Sequence, residues 1–269
     1  MAQNNSPKSS PNSSVNTRIR YLLIGDGRLA KHLSHYFHNL GIEHSRWARK
    51  MDSQERLKSL LQNSDVVMIA ISDTAIAEFA QLVHKMASDH TAAKAAAPNT
   101  ADQKKTLIHF SGLQSFEGIH GFHPLASFTQ ALWDESQYRD LCFVSEKGGA
   151  SFSAVFPGLS NPSFSIEKSA KPLYHALAAL AGNGSVLLWN KFLQGLEELG
   201  LPKEVAFPYI QSVTRNLLSD GPQALTGPIS RNDSRALSIH KRELKDDPYW
   251  NVYEALIAAA APNLHKEIT

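Results

Sequence analysis

Residues Ile24-Gly25-Asp26-Gly27-Arg28-Leu29-Ala30 read as G-x-G-x-x-A. Isolated glycines at that spacing mean little. Here they follow a short apolar run at 19–24 and open a helical pattern at 28–40, where Leu29, Leu33, Phe37 and Leu40 recur at three- and four-residue steps. In that setting Gly25 allows the tight turn off the strand, and Gly27 lets a pyrophosphate approach the bare backbone. Ala30 keeps the helix close to the sheet. The helix start then offers free N–H groups and the positive end of its dipole to phosphate, so Gly25, Asp26, Gly27, Arg28 and Leu29 are the candidate phosphate-binding residues.

The same alternation continues beyond the loop. Residues 42–47 can form a second strand, 54–61 a helix, 65–71 a strand continuously apolar after Asp65, and 74–86 another helix. Short strand candidates follow at 106–110, 118–122 and 141–144. Strand and helix in strict alternation imply parallel strands joined by helical crossovers, buried on both faces. Beyond about residue 166 the pattern turns helical, with pieces at 170–199, 203–219, 230–244 and 249–261 and prolines near their boundaries. The fold expected is α/β, a Rossmann-type doubly wound parallel sheet followed by a C-terminal all-helical domain. Its parts are a disordered tail at 1–17, a nucleotide-binding domain at 18–166 and a helical domain at 167–269. A second low-complexity stretch, 88–105, reads as a surface insertion.

Composition removes several function classes. Lys+Arg exceed Asp+Glu by 27 to 25 with no long basic run, so nucleic acid is not an expected partner. No stretch has the roughly 18 apolar residues of a membrane span, and the start lacks a secretory pattern; a soluble, cytoplasmic protein is expected. Cys142 is the one cysteine among 269 residues, which excludes an intramolecular disulfide framework and a multi-cysteine metal site. Cys142 reads as a buried structural thiol within a short strand. His32, His35 and His38 recur every third residue but drift around the helix without an acidic partner, so they read as solvated histidines and no metal is expected.

The end of the second strand bears on which nucleotide binds. An acid is expected there for NAD, but the chain reads Arg46-Trp47-Ala48-Arg49-Lys50. A guanidinium pairs with a 2′-phosphate in bidentate fashion, which favours NADP over NAD, with Arg49 first and Arg46 or Lys50 assisting. Ile71-Ser72-Asp73, ending the third strand, is expected to line the cofactor cleft.

His109-Phe110-Ser111-Gly112 and Gly121-Phe122-His123-Pro124-Leu125-Ala126-Ser127-Phe128, with Tyr174-His175-Ala176 through Asn183 and Thr226-Gly227-Pro228-Ile229-Ser230-Arg231-Asn232-Asp233, resemble a little-characterised family. Its members pair a Rossmann-like domain with a helical domain of unknown function, DUF2520. The layout is also similar to ketopantoate reductase and pyrroline-5-carboxylate reductase, which use NADPH to reduce a carbonyl or imine in a cleft between domains. The resemblance implies an NADP-dependent oxidoreductase acting on a small-molecule substrate, and a homodimer through the helical domain. The chain departs from the family's Arg-Gly-Asp by carrying Asn232, a residue that tolerates a left-handed backbone.

Hydride transfer asks the protein for orientation, a proton source and polarisation of the acceptor. His123 is a candidate proton donor, or equally a loop histidine held by its ring hydrogen bonds. Ser111 would present a hydroxyl near the nicotinamide. His175 and Asn183, eight residues apart, lie within about 80° of one another on a helix and are further candidates. Arg231 is a candidate anion site for substrate, and Asp233 a helix cap. His109 reads as structural. Lys171 stands one turn before His175 at the helix start. A non-catalytic NADP(H)-binding sensor or scaffold is the alternative function.

Overall fold

The structure, a computed structural model, describes residues 19–94 and 105–268. The expected tail at 1–17 and much of the insertion at 88–105 fall outside the described residues. Those residues form two compact units, one ending at Ser185 and one beginning at Val186.

The first unit runs β1 (Tyr21–Ile24), α1 (Arg28–Asn39), β2 (His44–Trp47), α2 (Gln54–Gln62), β3 (Val66–Ile69) and α3 (Asp73–Lys94). It continues with β4 (Thr106–His109), β5 (His120–Pro124), α4 (Glu135–Arg139), β6 (Phe143–Glu146), α5 (Phe152–Val155), β7 (Ser163–Ile166) and the first half of α6 (Lys171–Glu198). One seven-stranded sheet has the order β2-β1-β3-β4-β5-β6-β7. Strands β1 to β5 are parallel, in register Ile24 with Trp47 and Ile69, and Ile69 with His109. From β1 the chain steps to β2 on one side and then to β3 on the other, and ligands favour the crevice at such a switch point beyond the carboxyl ends of strands. β1 and β3 are buried throughout because helices cover both faces. Leu23, Met68, Ile108 and Phe122 face one layer of the core, and Leu22, Val67, Ile69 and Leu107 the other.

The sheet departs from the expected all-parallel pattern at β6, which runs antiparallel to β5. The link between them holds only the short helix α4, whose Tyr138 stacks on Tyr36 of α1, and the chain re-enters the sheet from the edge it left. β5 also runs two residues further than the sequence pattern suggests, so His123 lies within the strand. β7, an exposed edge strand parallel to β6, had no clear apolar signal. Helix α3 extends past 86 to Lys94.

Two expectations about single residues are corrected. His32 is not solvated: its ring is 1% exposed, with Nε2 at 3.1 Å from the Thr129 carbonyl and Nδ1 at 2.8 Å from the Tyr138 hydroxyl. Position 32 points inward beside Leu33 and Tyr36, and two fixed partners satisfy the buried ring. Cys142 is half-buried and lies just before β6, with burial raising its thiol pKa. Among the described residues no group of three or more His, Cys, Asp or Glu side chains could hold a metal.

The second unit contains the rest of α6, then α7 (Phe207–Asp220), α8 (Gly227–Ser230), α9 (Ser234–Leu244), α10 (Tyr249–Ala260) and α11 (Pro262–Ile268). Leu237, Trp250, Ile257, Leu264 and Ile268 form its core. Asp233 caps α9, accepting from the Ala236 N–H at 3.0 Å. The residue before it, Asn232, is the one non-glycine among the described residues with positive φ, at 53°. Both agree with the sequence reading. Among the described residues no helix is long and apolar enough to cross a membrane.

Candidate functional site

The carboxyl ends of β1, β3, β4 and β5 lie along one edge of the sheet, carrying in turn Gly25–Gly27, Ile71–Asp73, Ser111–Gly112 and His123. At the first of these Gly25 has φ +128°, a backbone that L side chains rarely adopt. A Cβ on it would stand 2.3 Å from the Ala70 carbonyl oxygen at the end of β3, so the chain turns off β1 pressed against β3. Gly27 is different. It is the N-cap of α1 with an ordinary extended backbone, and a Cβ there meets nothing within 4 Å. No side chain caps α1, and its first turn holds no acid. The first N–H groups of α1 therefore face an open approach, a cradle suited to phosphate oxygens.

A groove of about 730 Å³ joins this loop to the end of β2, lined by Gly25, Asp26, Arg49, Lys50 and Ser72 among others. Arg49 and Lys50 are exposed there. Arg46 is not among the groove's lining residues; it pairs in register with Leu23, which packs in the other core layer. Asp52 also lines the groove, but one oxygen accepts the Ala48 N–H at 2.9 Å and the other pairs with Arg56 at 3.2 Å. That carboxylate shapes the turn after β2.

Beyond β4 the polar groups change character. Ser111 Oγ donates to Asp73 Oδ2 at 2.6 Å and accepts the Leu113 and Gln114 N–H groups, so its hydroxyl binds the loop to the start of α3. Next to it His123 Nδ1 lies 2.8 Å from the Tyr174 hydroxyl, and the His123 and His175 rings meet edge to face at 6.0 Å. A Cβ at Gly112 would fall 2.8 Å from Cδ2 and Nε2 of His123 and from Cδ2 of His175. Only glycine lets both rings close on this turn. Burial, aided by nearby His175 and Lys171, pushes the His123 pKa down to about 4, and burial pushes Tyr174 up to about 12. His123 is therefore a neutral imidazole at pH 7, not a charged acid.

Behind these rings lies a buried ion pair that the sequence did not announce. Lys171 Nζ donates to Glu146 Oε1 at 2.6 Å and to the Gln114 carbonyl, and Ser115 Oγ donates to the same carboxylate oxygen at 2.9 Å. The two side chains are 5% and 2% exposed. His109 Nδ1 accepts the Ser111 N–H at 3.2 Å, which places the proton of the neutral ring on Nε2, 3.5 Å from Glu146 Oε1. Burial and the neighbouring Lys171 lower the His109 pKa to about 4. Burial lowers Lys171 from its ordinary value; burial alone would raise Glu146, but Lys171 and Ser115 hold it below the ordinary range. One carboxylate thus anchors both the 111–115 loop and the start of α6.

Of the sequence candidates, the structure brings Ser72, Asp73, Ser111, His123 and His175 to one edge. Asn183 is exposed two turns further along α6. Arg231, at the C-cap of α8, is exposed in the second unit. Glu146 and Tyr174 had no role in the sequence reading, and Lys171 had only a place at the helix start. A readable signal existed in α6: Lys171, Tyr174, His175 and Ala178 follow the i, i+3, i+4, i+7 spacing of one helix face.

The switch-point loop, the mostly parallel sheet and the helical C-terminal region define a chain of Rossmann type. Residues 145–260 match DUF2520, a domain of unknown function, a stretch that takes in Glu146 and helices α6 to α10. A comparison with curated proteins finds no match. Similar solved structures include a Bacteroides fragilis protein assigned as an NADP oxidoreductase, with TM-score 0.67 and 21% identity over 92% of this chain and 98% of that one. An imine reductase of Streptomyces aurantiacus gives TM-score 0.61 and 11% identity over 93% and 95%. The Plasmodium falciparum pyrroline carboxylate reductase, crystallised with NADP bound, gives 0.53 and 12% over 93% and 100%. At such identities the likeness is one of fold.

Proposed function

We propose that this protein is an NADP-dependent oxidoreductase that reduces a small carbonyl or imine compound. The observation that carries the reading is the uncapped, open start of α1 at Gly27, next to a groove lined by Gly25, Asp26, Arg49 and Lys50. In this reading Gly25, Asp26, Gly27, Arg28 and Leu29 hold the pyrophosphate, Arg49 with Lys50 the 2′-phosphate, and Ser72 with Asp73 flank the cofactor. NADPH supplies the hydride when bound. His123, His175, Asn183 and Ser111 are the protein's candidates at the acceptor, and Arg231 the candidate for an anionic substituent. The names of the similar solved structures, imine reductase and pyrroline carboxylate reductase among them, support this class.

The direct test is calorimetric titration with NADPH and NADH. NADPH binding tighter than NADH is expected; no binding of either at millimolar concentration overturns the reading. Arg49→Glu should weaken NADPH by roughly 10- to 100-fold, as loss of a charge-assisted bond of about 1.5–3 kcal/mol implies, and leave NADH nearly unchanged.

We further infer a homodimer through the helical region. Val186, Leu187, Leu217 and Leu218, all in the second unit, are more than half exposed on α6 and α7, apolar side chains that a monomer rarely leaves in water together. Light scattering should return twice the chain mass of 29.6 kDa; a monomer at working concentration removes the inference.

A further inference from the structure

The contact between His123 and Tyr174 has two possible proton arrangements, and counting partners separates them. Among the described residues the Tyr174 hydroxyl has one hydrogen-bond partner, His123 Nδ1, and His123 Nε2 has none. If Nδ1–H donated to the phenol oxygen, the Tyr174 proton and the Nε2 lone pair would both go unpaired. If the phenol donates to Nδ1, a single group is left over, the Nε2–H. The second arrangement satisfies more hydrogen-bonding groups within the protein and leaves a single donor for solvent or a ligand, so it is favoured.

We propose that Tyr174 is a positioning residue that holds His123 as the Nε2–H tautomer, and that this N–H donates to the oxygen or nitrogen lone pair of the compound being reduced. The proposal rests on the oxidoreductase reading above and assigns the polarising group within it. Several observations converge on it. Nε2 lies against the Gly112 turn, on the carboxyl edge of the sheet, where the missing Cβ leaves room for the ring. The charged and titratable groups acting on His123 are His175 and Lys171, which disfavour a proton, and Asp73, which favours one; burial outweighs them and the ring stays neutral. Tyr174 keeps its proton over the whole working range. A neutral imidazole held in one tautomer is a fixed, pre-oriented donor to a developing negative charge.

Protons balance along the pair. With NADPH bound, which would supply the hydride to the acceptor carbon, the acceptor's oxygen or nitrogen would take the Nε2 proton. Nδ1 takes the Tyr174 proton in the same movement. A solvent proton then enters at Nε2, and Nδ1 returns its proton to the tyrosinate. One solvent proton is consumed per reduction.

The test is a long-range ¹H–¹⁵N spectrum of protein labelled in histidine, recorded free and with NADP+, with the His123 signals assigned by their loss in His123→Asn. The expected pattern is an unprotonated Nδ1 and a protonated Nε2, unchanged from pH 6 to 8. In Tyr174→Phe the pattern should shift toward a tautomer mixture while NADP+ affinity and melting temperature hold. A wild-type Nδ1–H tautomer, or the same pattern in Tyr174→Phe, overturns the proposal. Adding aliphatic ketones and cyclic imines with NADP+ should move the Nε2 signal, and a panel that leaves it unmoved removes the donor role. Failure of NADP+ to bind would sink the oxidoreductase reading instead, since the tautomer is read in the free protein as well.

Discussion

Gly27→Asp should leave the protein as stable as before, or slightly more so, and cost it NADPH affinity by about 100-fold or more. The two halves of that expectation come from different physics. Gly27 has φ −66° and ψ 177°, the extended backbone of an ordinary N-cap, and a Cβ there meets open space. Asp is among the best N-cap residues, and its carboxylate would accept from the free N–H groups of α1, a gain of a few tenths of a kcal/mol over glycine. That same carboxylate would occupy the place, and oppose the charge, of the proposed pyrophosphate, and a 100-fold loss corresponds to about 2.7 kcal/mol. Thermal melting and calorimetric titration read the two effects separately. Gly25→Ala is the contrasting variant. Positive φ at that position costs on the order of 1–3 kcal/mol, and the new methyl would sit 2.3 Å from the Ala70 carbonyl, so its damage begins with the fold. If Gly27→Asp bound NADPH normally, the open start of α1 would not be a phosphate site, and the oxidoreductase reading would lose its base.

The contrast between these glycines also shows what a sequence can display. Gly25 and Gly27 announce themselves because a strand, a tight turn and a helix in succession restrict the backbone locally, within seven residues. Asp233 and Asn232 are legible for the same reason: a cap and a left-handed residue are decided by immediate neighbours. The buried Glu146 is decided by groups far away. Its partner Lys171 is 25 residues on and Ser115 31 residues back, and all three meet only because β6 pairs antiparallel with β5. In the sequence Glu146 is one acid at the end of Phe143-Val144-Ser145-Glu146, indistinguishable from a charge meeting solvent at a strand end. His32 misled for a related reason. Its histidine spacing pointed to a polar face, while its burial is set by Thr129 and Tyr138, nearly a hundred or more residues away.

Glu146→Ala should destabilise the protein by about 3–5 kcal/mol, and most of that loss should return in Glu146→Ala with Lys171→Met. A buried pair is a weak net stabiliser, because two charges must leave water to make it, but breaking one side leaves the other charge uncompensated. Lys171 would keep the Gln114 carbonyl and lose its only carboxylate at 2.6 Å. Replacing it with methionine removes the stranded ammonium and fills similar volume. Denaturant unfolding of the single and double variants measures the recovery; equal losses in both would mean that the carboxylate matters for packing alone. The pH dependence supplies a second reading. In Glu146→Ala the folded Lys171 falls further below its unfolded value of 10.5, so the unfolded chain binds the extra proton and stability rises with pH. The gap between this variant and wild type should therefore narrow from pH 7 toward pH 10. At the acid end the wild type follows its histidines. His109 and His123, near 4 when folded against 6.5 unfolded, contribute stability above the unfolded value that is lost as pH falls from 6.5 toward 4. Glu146, held below 4.5 when folded, adds to the loss as pH falls below that value. Both limbs have one physical source, a cluster that keeps its imidazoles neutral and its carboxylate ionised so that α6 stays fixed against the 111–115 loop. The variants that break the pair should consequently also weaken the Tyr174–His123 contact, since Tyr174 stands one helical turn from Lys171.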